Sequence, residues 1–269
     1  MKKSIYLSIY LSFYLSISLN GQVIHSNEIE KGTSIQRNAS FNTDEIKVRW
    51  KKAALENCSG VPCTFICGTS TVTDVDGNVY NTKLIGSSQC WTTTNLKVTK
   101  YNDGSVIPDL TGSTSNPWAT SGARTEYVLT GVTGYVGTFG YLYNWYAVND
   151  LRKLCPAGWH VPSDGEWTTL TTYLGGASVA GGKMKSIGTA HWNSPNTNAT
   201  NESGFSVLPG GYRSSNGSFN NIRTNAFFWS ATVAGDFNAW DRSLGFSNGV
   251  VTRSDDSKSG GASVRCLRD

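Results

Sequence analysis

The residues of this sequence that could do chemistry are three histidines, six cysteines and several acidic side chains. The histidines, His25, His160 and His191, have no metal-ligand spacing to one another or to the cysteines, and there is no CxxC pair. The sequence also contains no Ser-His-Asp order with a nucleophile elbow and no GxxxxGK[ST] phosphate loop. We therefore predict no metal, no cofactor and no catalytic residues.

His160 is the histidine with the best position for acid–base chemistry. It lies between Trp159 and Val161, on a turn that precedes a predicted helix. A histidine with apolar neighbours is more often a hydrogen-bonded core residue than a general base. The acidic pair Asp255–Asp256 lies in polar sequence, and we interpret it as part of a solvated loop.

The segment DVDGN at residues 74–78 resembles the beginning of a calcium-binding loop. An EF-hand needs a bidentate Glu at the twelfth position, and the twelfth residue counted from Asp74 is Ile85. The dipeptide Asp76–Gly77 instead suits a two-residue hairpin turn, because both positions tolerate positive φ. The segment therefore predicts a hairpin.

Aromatic and polar side chains are mixed near the C-terminal end in a way that suits sugar binding. Sugars need flat apolar faces for stacking together with planar hydrogen-bonding groups. Asp236 and Asn238 lie close by in the sequence. The competing interpretation is that the tryptophans are buried in the core, as large aromatics are on average. The candidate ligand-binding residues are Tyr212, Trp229, Trp240, Asp241 and Arg242.

The clearest element is a helix in the stretch LCPAGWHVPSDGEWTTLTTYL, residues 154–174. Ser163 and Glu166 have the spacing of a capping box, which predicts a helix start at Ser163, and Gly175–Gly176 ends the helix. The apolar stripe that should face the core consists of Trp167, Leu170 and Leu174. The face that should lie in water consists of Asp164, Thr168 and Thr172.

The other predicted elements are short. A second helix is predicted over residues 139–148, FGYLYNWYAV, with an aromatic face in the core. Strands are predicted from β-branched and aromatic runs at residues 71–82, 83–85, 204–213, 227–232, 239–246 and 263–267. With 29 glycines and only 16% charged residues, the composition indicates many short strands, tight turns and little helix.

The charge of the chain does not indicate nucleic-acid binding. The formal net charge of +4 includes Lys2 and Lys3. Without them, 21 of the 23 basic side chains remain against 19 acidic ones, and no basic stripe is present.

Residues 1–21 have the features of a secretion signal. Lys2–Lys3 precede an apolar, Ser-rich run from Ile5 to Leu19, and we expect cleavage near Gly21. The run is short for a membrane span, so none is predicted after cleavage; an uncleaved anchor is the alternative. Residues 22–66 are interpreted as a polar spacer and cysteine junction. Export would place the protein outside the cell or on its surface, where six cysteines are most simply disulfides.

An ordered set of motifs over residues 67–269 resembles the Fibrobacter succinogenes major paralogous domain. The motifs include GNVYNTKLIGSSQCW, FGYLYNWYAV, CPAGWHVPSDGEWTTL, GFSVLPGGYR, FFWSAT and SVRCLRD. That family occurs in exported and surface proteins, mainly of Bacteroidetes and Fibrobacteres, and its biochemical role is largely uncharacterised. The resemblance implies that residues 67–269 form one domain.

The pattern CPxGWHxPSxxEW followed by SVRC resembles, more distantly, the formylglycine-generating-enzyme and C-type lectin-like folds. That similarity implies an α+β, C-type-lectin-like fold: a twisted antiparallel β-sheet with two short helices and long loops, tied by disulfides. It also implies a bridge between Cys155 and Cys266, which in the chain-entropy model stabilises the fold by about 4 to 5 kcal/mol. For the other four cysteines we prefer the pairs Cys67–Cys90 and Cys58–Cys63.

The sequence departs from both distant relatives at their functional positions. An oxygenase of the formylglycine-generating type would need copper-binding or redox cysteines near the C-terminus, where only Cys266 lies. Calcium-dependent lectins often contain Glu-Pro-Asn or Gln-Pro-Asp and Trp-Asn-Asp; here Trp192–Asn193–Ser194 is a partial match. We therefore expect an exported, non-catalytic module that binds a glycan or a surface protein through its loops. The alternatives are a divergent enzyme on the formylglycine-generating scaffold and a structural envelope or adhesive component.

Overall fold

The computed structural model describes residues 16–19, 22–25, 65–113, 120–129 and 134–269. The chain divides into two units, Met1–Lys52 and Ala53–Asp269. In the first unit, strands β1 (Ser16–Leu19) and β2 (Gln22–His25) pair as an antiparallel hairpin.

Most of the predicted signal segment and polar spacer lies outside the described residues. Cleavage near Gly21 and the pair Cys58–Cys63 therefore stay predictions. In the described part of the chain, no helix has the length and apolarity that crossing a membrane requires.

The second unit contains thirteen short strands and four short helices among its described residues. The strands are β3 (Thr71–Thr73), β4 (Val79–Ile85), β5 (Gln89–Thr92), β6 (Arg124–Thr125), β7 (Leu142–Asn144), β8 (Trp159–His160), β9 (Gly210–Arg213), β10 (Phe219–Ile222), β11 (Asn225–Val233), β12 (Asn238–Gly245), β13 (Val251–Ser257), β14 (Gly261–Ala262) and β15 (Leu267–Arg268). The helices are α1 (Tyr135–Phe139), α2 (Trp145–Val148), α3 (Asp164–Tyr173) and α4 (Ala177–Met184).

The strands form two sheets. The larger sheet has the order β13-β12-β11-β9-β14-β7-β6, with β10 paired to β9, and the smaller has the order β3-β4-β5-β15-β8. Neighbouring strands are antiparallel except β9 and β11, which pair in parallel at Gly211 and Ala226. Strand β15 pairs with both β5 and β8, so the end of the chain joins segments that are far apart in sequence. The fold is thus mostly β-structure with few short helices.

Helix α3 begins as the capping box predicts. The Ser163 hydroxyl oxygen accepts a hydrogen bond from the amide of Glu166, and the Glu166 carboxylate accepts one from the amide of Ser163 at 2.8 Å. The predicted apolar stripe is buried. Asp164 does not lie free in water as expected, because it forms ion pairs with Arg242 at 2.8 Å and Arg253 at 2.9 Å.

Aromatic rings link α3 to both sheets. The ring centroid of Trp167 lies 4.9 Å from that of Trp91 on β5 and 5.6 Å from that of Phe228 on β11. All three side chains are buried. This cluster explains why a short helix of modest propensity is stable: its packing stabilises it more than its own hydrogen bonds do.

The helix predicted over residues 139–148 is confirmed only for its end, Trp145–Val148, and is wrong before that. The chain turns at Gly140, forms β7, and only then begins α2 at Trp145. Gly140 has φ 75°, and a Cβ there would lie 2.6 Å from the carbonyl oxygen of Leu96. A continuous helix would lose the close contact between Gly140 and the backbone of Leu96. It would also lose the pairing of β7 with β6 and β14.

The hairpin predicted at Asp76–Gly77 is present, but its loop has five residues, 74–78. The buried Asp74 carboxylate accepts hydrogen bonds from the amides of Asp76 and Asn78 and from the Tyr80 hydroxyl. These local donors occupy the oxygens that a calcium loop would direct at the ion.

Several elements were not predicted, among them helix α4 and strand β13. Helix α4 contains Gly181 and Gly182, which are poor helix formers; added Cβ atoms would lie 2.5 Å from the carbonyl oxygen of Val250 and 2.4 Å from that of Asn198. Strand β13 is polar because it is the outermost strand of the larger sheet.

Both disulfides predicted within the described residues are confirmed. Cys67 is bonded to Cys90, and Cys155 to Cys266. The second bridge lies in the core, with Cys155 1% and Cys266 0% exposed. Disulfides persist in oxidising compartments, so the two bonds fit an extracellular protein.

Arg265 lies fully buried between the sheets. Its guanidinium donates to the Asn95 side-chain oxygen at 2.7 Å and to the carbonyl oxygens of Thr92, Phe205 and Ser206 at 2.9, 2.9 and 3.2 Å. Burial lowers the pKa of this guanidinium to about 9, which leaves it charged at pH 7. Every acceptor named here is neutral, so Arg265 organises the chain through hydrogen bonds rather than an ion pair.

Candidate functional site

Three of the five candidate ligand-binding residues line one pocket on the larger sheet. Tyr212, Trp229 and Asp241 meet there, together with three residues that were not predicted: Arg213, Phe227 and Asp256. The pocket has a volume of about 140 Å³. Since one water takes up about 30 Å³ in the liquid, this is room for about five waters or one ring-sized group.

The pairing of the strands brings these residues together. Side chains of paired residues lie on the same face of a sheet, and successive side chains alternate between faces. Trp229 on β11 pairs with Asp241 on β12, which pairs in turn with Ser254 on β13. Asp256 lies two residues beyond Ser254 and therefore faces the same side.

The alternation places the other two candidate residues, Trp240 and Arg242, on the opposite face. There the Arg242 guanidinium is buried against α3 and bonds to Asp164. The partly buried Trp240 is covered by Arg253, whose guanidinium carbon lies 3.3 Å from the indole centroid. The predicted set is thus split between a pocket and a helix interface.

The nearby polar residues also have partners within the chain. The Asn238 side chain donates to the Asp255 carboxylate at 2.7 Å, and the Asp236 carbonyl oxygen accepts from the Lys258 ammonium at 2.8 Å. Neither residue lines the pocket.

Asp241 is the most unusual side chain of the pocket. It is 1% exposed, and one carboxylate oxygen accepts a hydrogen bond from the Ser254 hydroxyl at 2.6 Å. Among the described residues, no Lys or Arg side chain forms an ion pair with it. Burial, and to a smaller degree the charge of Asp256, raise the pKa of Asp241 to about 6.

Asp256 supplies a second carboxylate. The interpretation of Asp255–Asp256 as a solvated loop is wrong, because both residues belong to β13. The Asp256 side chain is exposed at the edge of the pocket, and desolvation by its neighbours and the charge of Asp255 raise its pKa. Two carboxylates in one pocket, each with a raised pKa, form a site at which a positive charge would be stabilised.

Aromatic side chains form the apolar part of the pocket. The Tyr212 ring is half-buried and lies 4.8 Å from the ring of Phe227, centroid to centroid. The Trp229 ring is 1% exposed, and its indole nitrogen donates to the Tyr143 carbonyl oxygen at 2.8 Å. Trp229 is therefore a buried core residue that forms the floor of the pocket, in agreement with the alternative interpretation that the tryptophans are buried. Tyr212 is the aromatic side chain that a ligand can reach.

Sequence reasoning missed Arg213, Phe227 and Asp256 for different reasons. Phe227 lies two residues before Trp229 on β11, so a period of two would have identified it. Arg213 follows Tyr212 and is buried, with its guanidinium within 3.5 Å of the Ser113 and Ser214 carbonyl oxygens. Asp256 was missed because its strand, β13, has no alternation of apolar and polar residues by which it could be recognised.

His160 has carboxylates on both sides. Its Nδ1 contacts the Asp269 carboxylate at 2.5 Å, and its Nε2 contacts that of Glu166 at 3.0 Å. The Glu166 carboxylate is also bonded to Ser163 within the capping box. These hydrogen bonds fit the interpretation of His160 as a hydrogen-bonded structural residue. His160 does not line the pocket.

Replacing Asp241 with Asn should stabilise the protein at neutral pH. The folded-state pKa of about 6 lies above the ordinary value of 3.8, so the folded state holds the proton more tightly. The stability linked to this proton is fully present below about pH 4 and is lost as the pH rises through 6. We expect Asp241→Asn to raise the free energy of unfolding by about 1 to 3 kcal/mol at pH 7 and to change it little at pH 4.

Urea denaturation at the two pH values measures this effect. Asp255→Asn is the matched control, because it removes the same charge from the neighbouring exposed position on the opposite face, and it should change stability by less than about 0.5 kcal/mol. A loss of stability in Asp241→Asn at pH 7 would contradict the assignment of Asp241 as a buried charge that costs more stability than its hydrogen bonds return.

The comparisons with known proteins give one match. A family model described as the Fibrobacter succinogenes major domain matches residues 85–268. No curated protein matches the chain, and no solved structure does. In the described part of the chain, no group of three or more His, Cys, Asp or Glu side chains is arranged to hold a metal ion.

Proposed function

The chain belongs to the Fibrobacter succinogenes major domain family, and from that premise we propose that it is an exported, non-catalytic module that binds a glycan. The glycan would enter the pocket formed by Tyr212, Asp241 and Asp256. The observation that carries this proposal is the buried Asp241 carboxylate, which faces a ring-sized pocket next to an accessible aromatic ring. A buried carboxylate that lines a cleft and has a raised pKa is a candidate for a functional residue.

The chemistry of the pocket supports a sugar more than an apolar ligand. A sugar ring has one face of C–H groups, which stacks on an aromatic ring, and hydroxyl groups around its edge. Tyr212 supplies the ring, while the two carboxylates supply strong acceptors for those hydroxyls. At about 140 Å³ the pocket is smaller than the 300 Å³ or more that is usual for a complete ligand site, so it suits one residue of a longer glycan.

The lectin-like architecture and the export are part of the same proposal. Support for a C-type-lectin-like fold comes from the long-range bridge Cys155–Cys266 and from a terminal strand, β15, that lies between β5 and β8 in the smaller sheet. Support for a secreted or cell-surface location comes from the disulfides and from the signal pattern of residues 1–21.

The position of Cys266 supports a binding role over an oxygenase of the formylglycine-generating type. Such an enzyme would present cysteine sulfurs to its substrate, whereas Cys266 is 0% exposed and is bonded to Cys155 in the core. Copper chemistry would therefore need Cys58 or Cys63, which lie outside the described residues.

A glycan array followed by calorimetry on the full chain tests the proposal. We expect at least one glycan to bind and Tyr212→Ala to weaken that binding at least tenfold, which corresponds to about 1.4 kcal/mol, because the stacking surface is lost. Tyr173→Ala is the matched control, since Tyr173 is 64% exposed at the end of α3 and does not line the pocket.

Two results would contradict glycan binding in this pocket. One is an array on which no glycan binds. The other is a glycan whose affinity is the same for the parent chain and Tyr212→Ala. A surface protein recovered by pull-down and insensitive to Tyr212→Ala would assign the function to another surface.

A further inference from the structure

We infer that the group this pocket accepts is the protonated amine of an amino sugar, that is, a glycan residue whose nitrogen is not acetylated. The inference rests on the proposed glycan-binding function and names the class of sugar that the pocket selects. It follows from the charges, the aromatic surfaces and the size of the pocket.

The first step concerns the charge of Asp241. This carboxylate is buried, lines the pocket, and accepts hydrogen bonds from the hydroxyl and the backbone amide of Ser254, both of them neutral donors. A buried charge is stable only when it is paired or well solvated by hydrogen bonds. No described Lys or Arg forms an ion pair with Asp241, and the charge of Arg242, on the opposite face, stabilises the carboxylate only in part. A cationic ligand in the pocket would therefore supply the direct partner that the carboxylate lacks.

The second step concerns the balance of charges around the pocket. Its charged lining residues are Asp241, Asp256 and Arg213, so two negative charges face one positive charge. The bonds of the Arg213 guanidinium include two to backbone carbonyl oxygens, those of Ser214 at 3.4 Å and Ser113 at 3.5 Å. A neutral sugar would leave the repulsion between the two carboxylates in place, whereas an ammonium group would relieve it.

The third step concerns the aromatic surfaces. Tyr212 and Phe227 form the apolar wall beside the carboxylates, with Trp229 as the floor. Aromatic faces attract cations as well as sugar C–H groups. An amino sugar presents both features within one ring, and a ring-sized pocket of about 140 Å³ can accept it.

A bare metal ion fits the pocket less well than an ammonium group does. Calcium takes six to eight oxygen ligands. The pocket offers two carboxylates, and the described residues contain no third acidic, His or Cys side chain grouped with them. An ammonium group needs only about three hydrogen-bond acceptors, which two carboxylates and a hydroxyl can supply.

The test compares matched oligosaccharides by calorimetry at pH 7 on the full chain. The ligands are a glucosamine tetramer, its fully N-acetylated form, and a glucose tetramer of the same linkage. We expect the glucosamine tetramer to bind at least tenfold more tightly than the other two. Asp241→Asn should reduce this preference to about twofold or less, while the control Asp255→Asn should keep it.

The outcomes separate this inference from the proposed function. If the acetylated or neutral tetramer binds as tightly as the glucosamine tetramer, and Tyr212→Ala weakens both, glycan binding stands and the amine inference is overturned. A preference for glucosamine that survives in Asp241→Asn also overturns the inference. If Tyr212→Ala has no effect on any glycan that binds, the proposed function itself fails. Because Asp241→Asn should be more stable than the parent chain, loss of folding does not confuse the result.

Discussion

Replacing Cys155 and Cys266 together with alanine should lower the free energy of unfolding by about 4 to 5 kcal/mol. The bridge spans 111 residues, and the entropy that a crosslink removes from the unfolded chain grows with the length of the loop it closes. Both sulfurs are buried in the core, so their loss also leaves small cavities. Urea denaturation of the oxidised proteins measures the difference.

The second bridge provides an internal comparison. Cys67 and Cys90 are 23 residues apart, for which the same model gives about 3 kcal/mol. The double alanine variant of this pair should therefore lose less stability than the Cys155–Cys266 variant. Equal losses, or the opposite order, would show that the two bonds act through local packing in the folded state.

Replacing Arg265 with methionine should lower the free energy of unfolding by about 3 to 5 kcal/mol. Methionine fills much of the same volume but cannot donate hydrogen bonds, so the Asn95 side chain and three buried carbonyl oxygens lose their partner. Each buried acceptor without a donor costs about 1 to 3 kcal/mol. Thermal and urea denaturation measure the loss.

Arg223 offers a matched control for Arg265. Its guanidinium also bonds to backbone carbonyl oxygens, those of Thr189 and Ala190, but it lies at the surface. Arg223→Met should cost less than about 1 kcal/mol, because water can replace the lost donors. Similar losses in both variants would mean that burial is not what makes Arg265 important.

Local signals in the sequence were sufficient for some elements. The capping box of Ser163 and Glu166 and the glycines that follow specify both ends of α3 without help from distant residues. The predicted strand at residues 227–232 lies within β11, and the one at 239–246 matches β12 except for its last residue, because aromatic runs favour strands.

Other elements depend on contacts that no local pattern records. Residues 139–148 have the spacing of a helix, yet Gly140 must approach the backbone of Leu96, and β7 must pair with β6 and β14. In α4, Gly181 and Gly182 lower the helix propensity. They are nevertheless required, because the backbones of Val250 and Asn198 lie too close for a side chain. Tertiary packing decides both cases.

The candidate site was predictable only in part, because the side-chain types can be read from the sequence but the face on which each lies cannot. Tyr212, Trp229 and Asp241 have suitable chemistry, and β-strand alternation brings them to one pocket. The same alternation sends Trp240 and Arg242 to the helix side, which the mere closeness of these residues in sequence does not reveal. Asp256 could be assigned to the pocket only once β13 was known to be a strand.

The polar composition of β13 has a consequence for self-association. The described strands pair with β13 on one side only, so its other row of backbone amides and carbonyls could template a strand from a second molecule. Arg253, Asp255 and Asp256 carry charges along this margin of the sheet and discourage such pairing. The polar residues that made β13 hard to recognise as a strand are thus also the ones expected to disfavour edge-to-edge association.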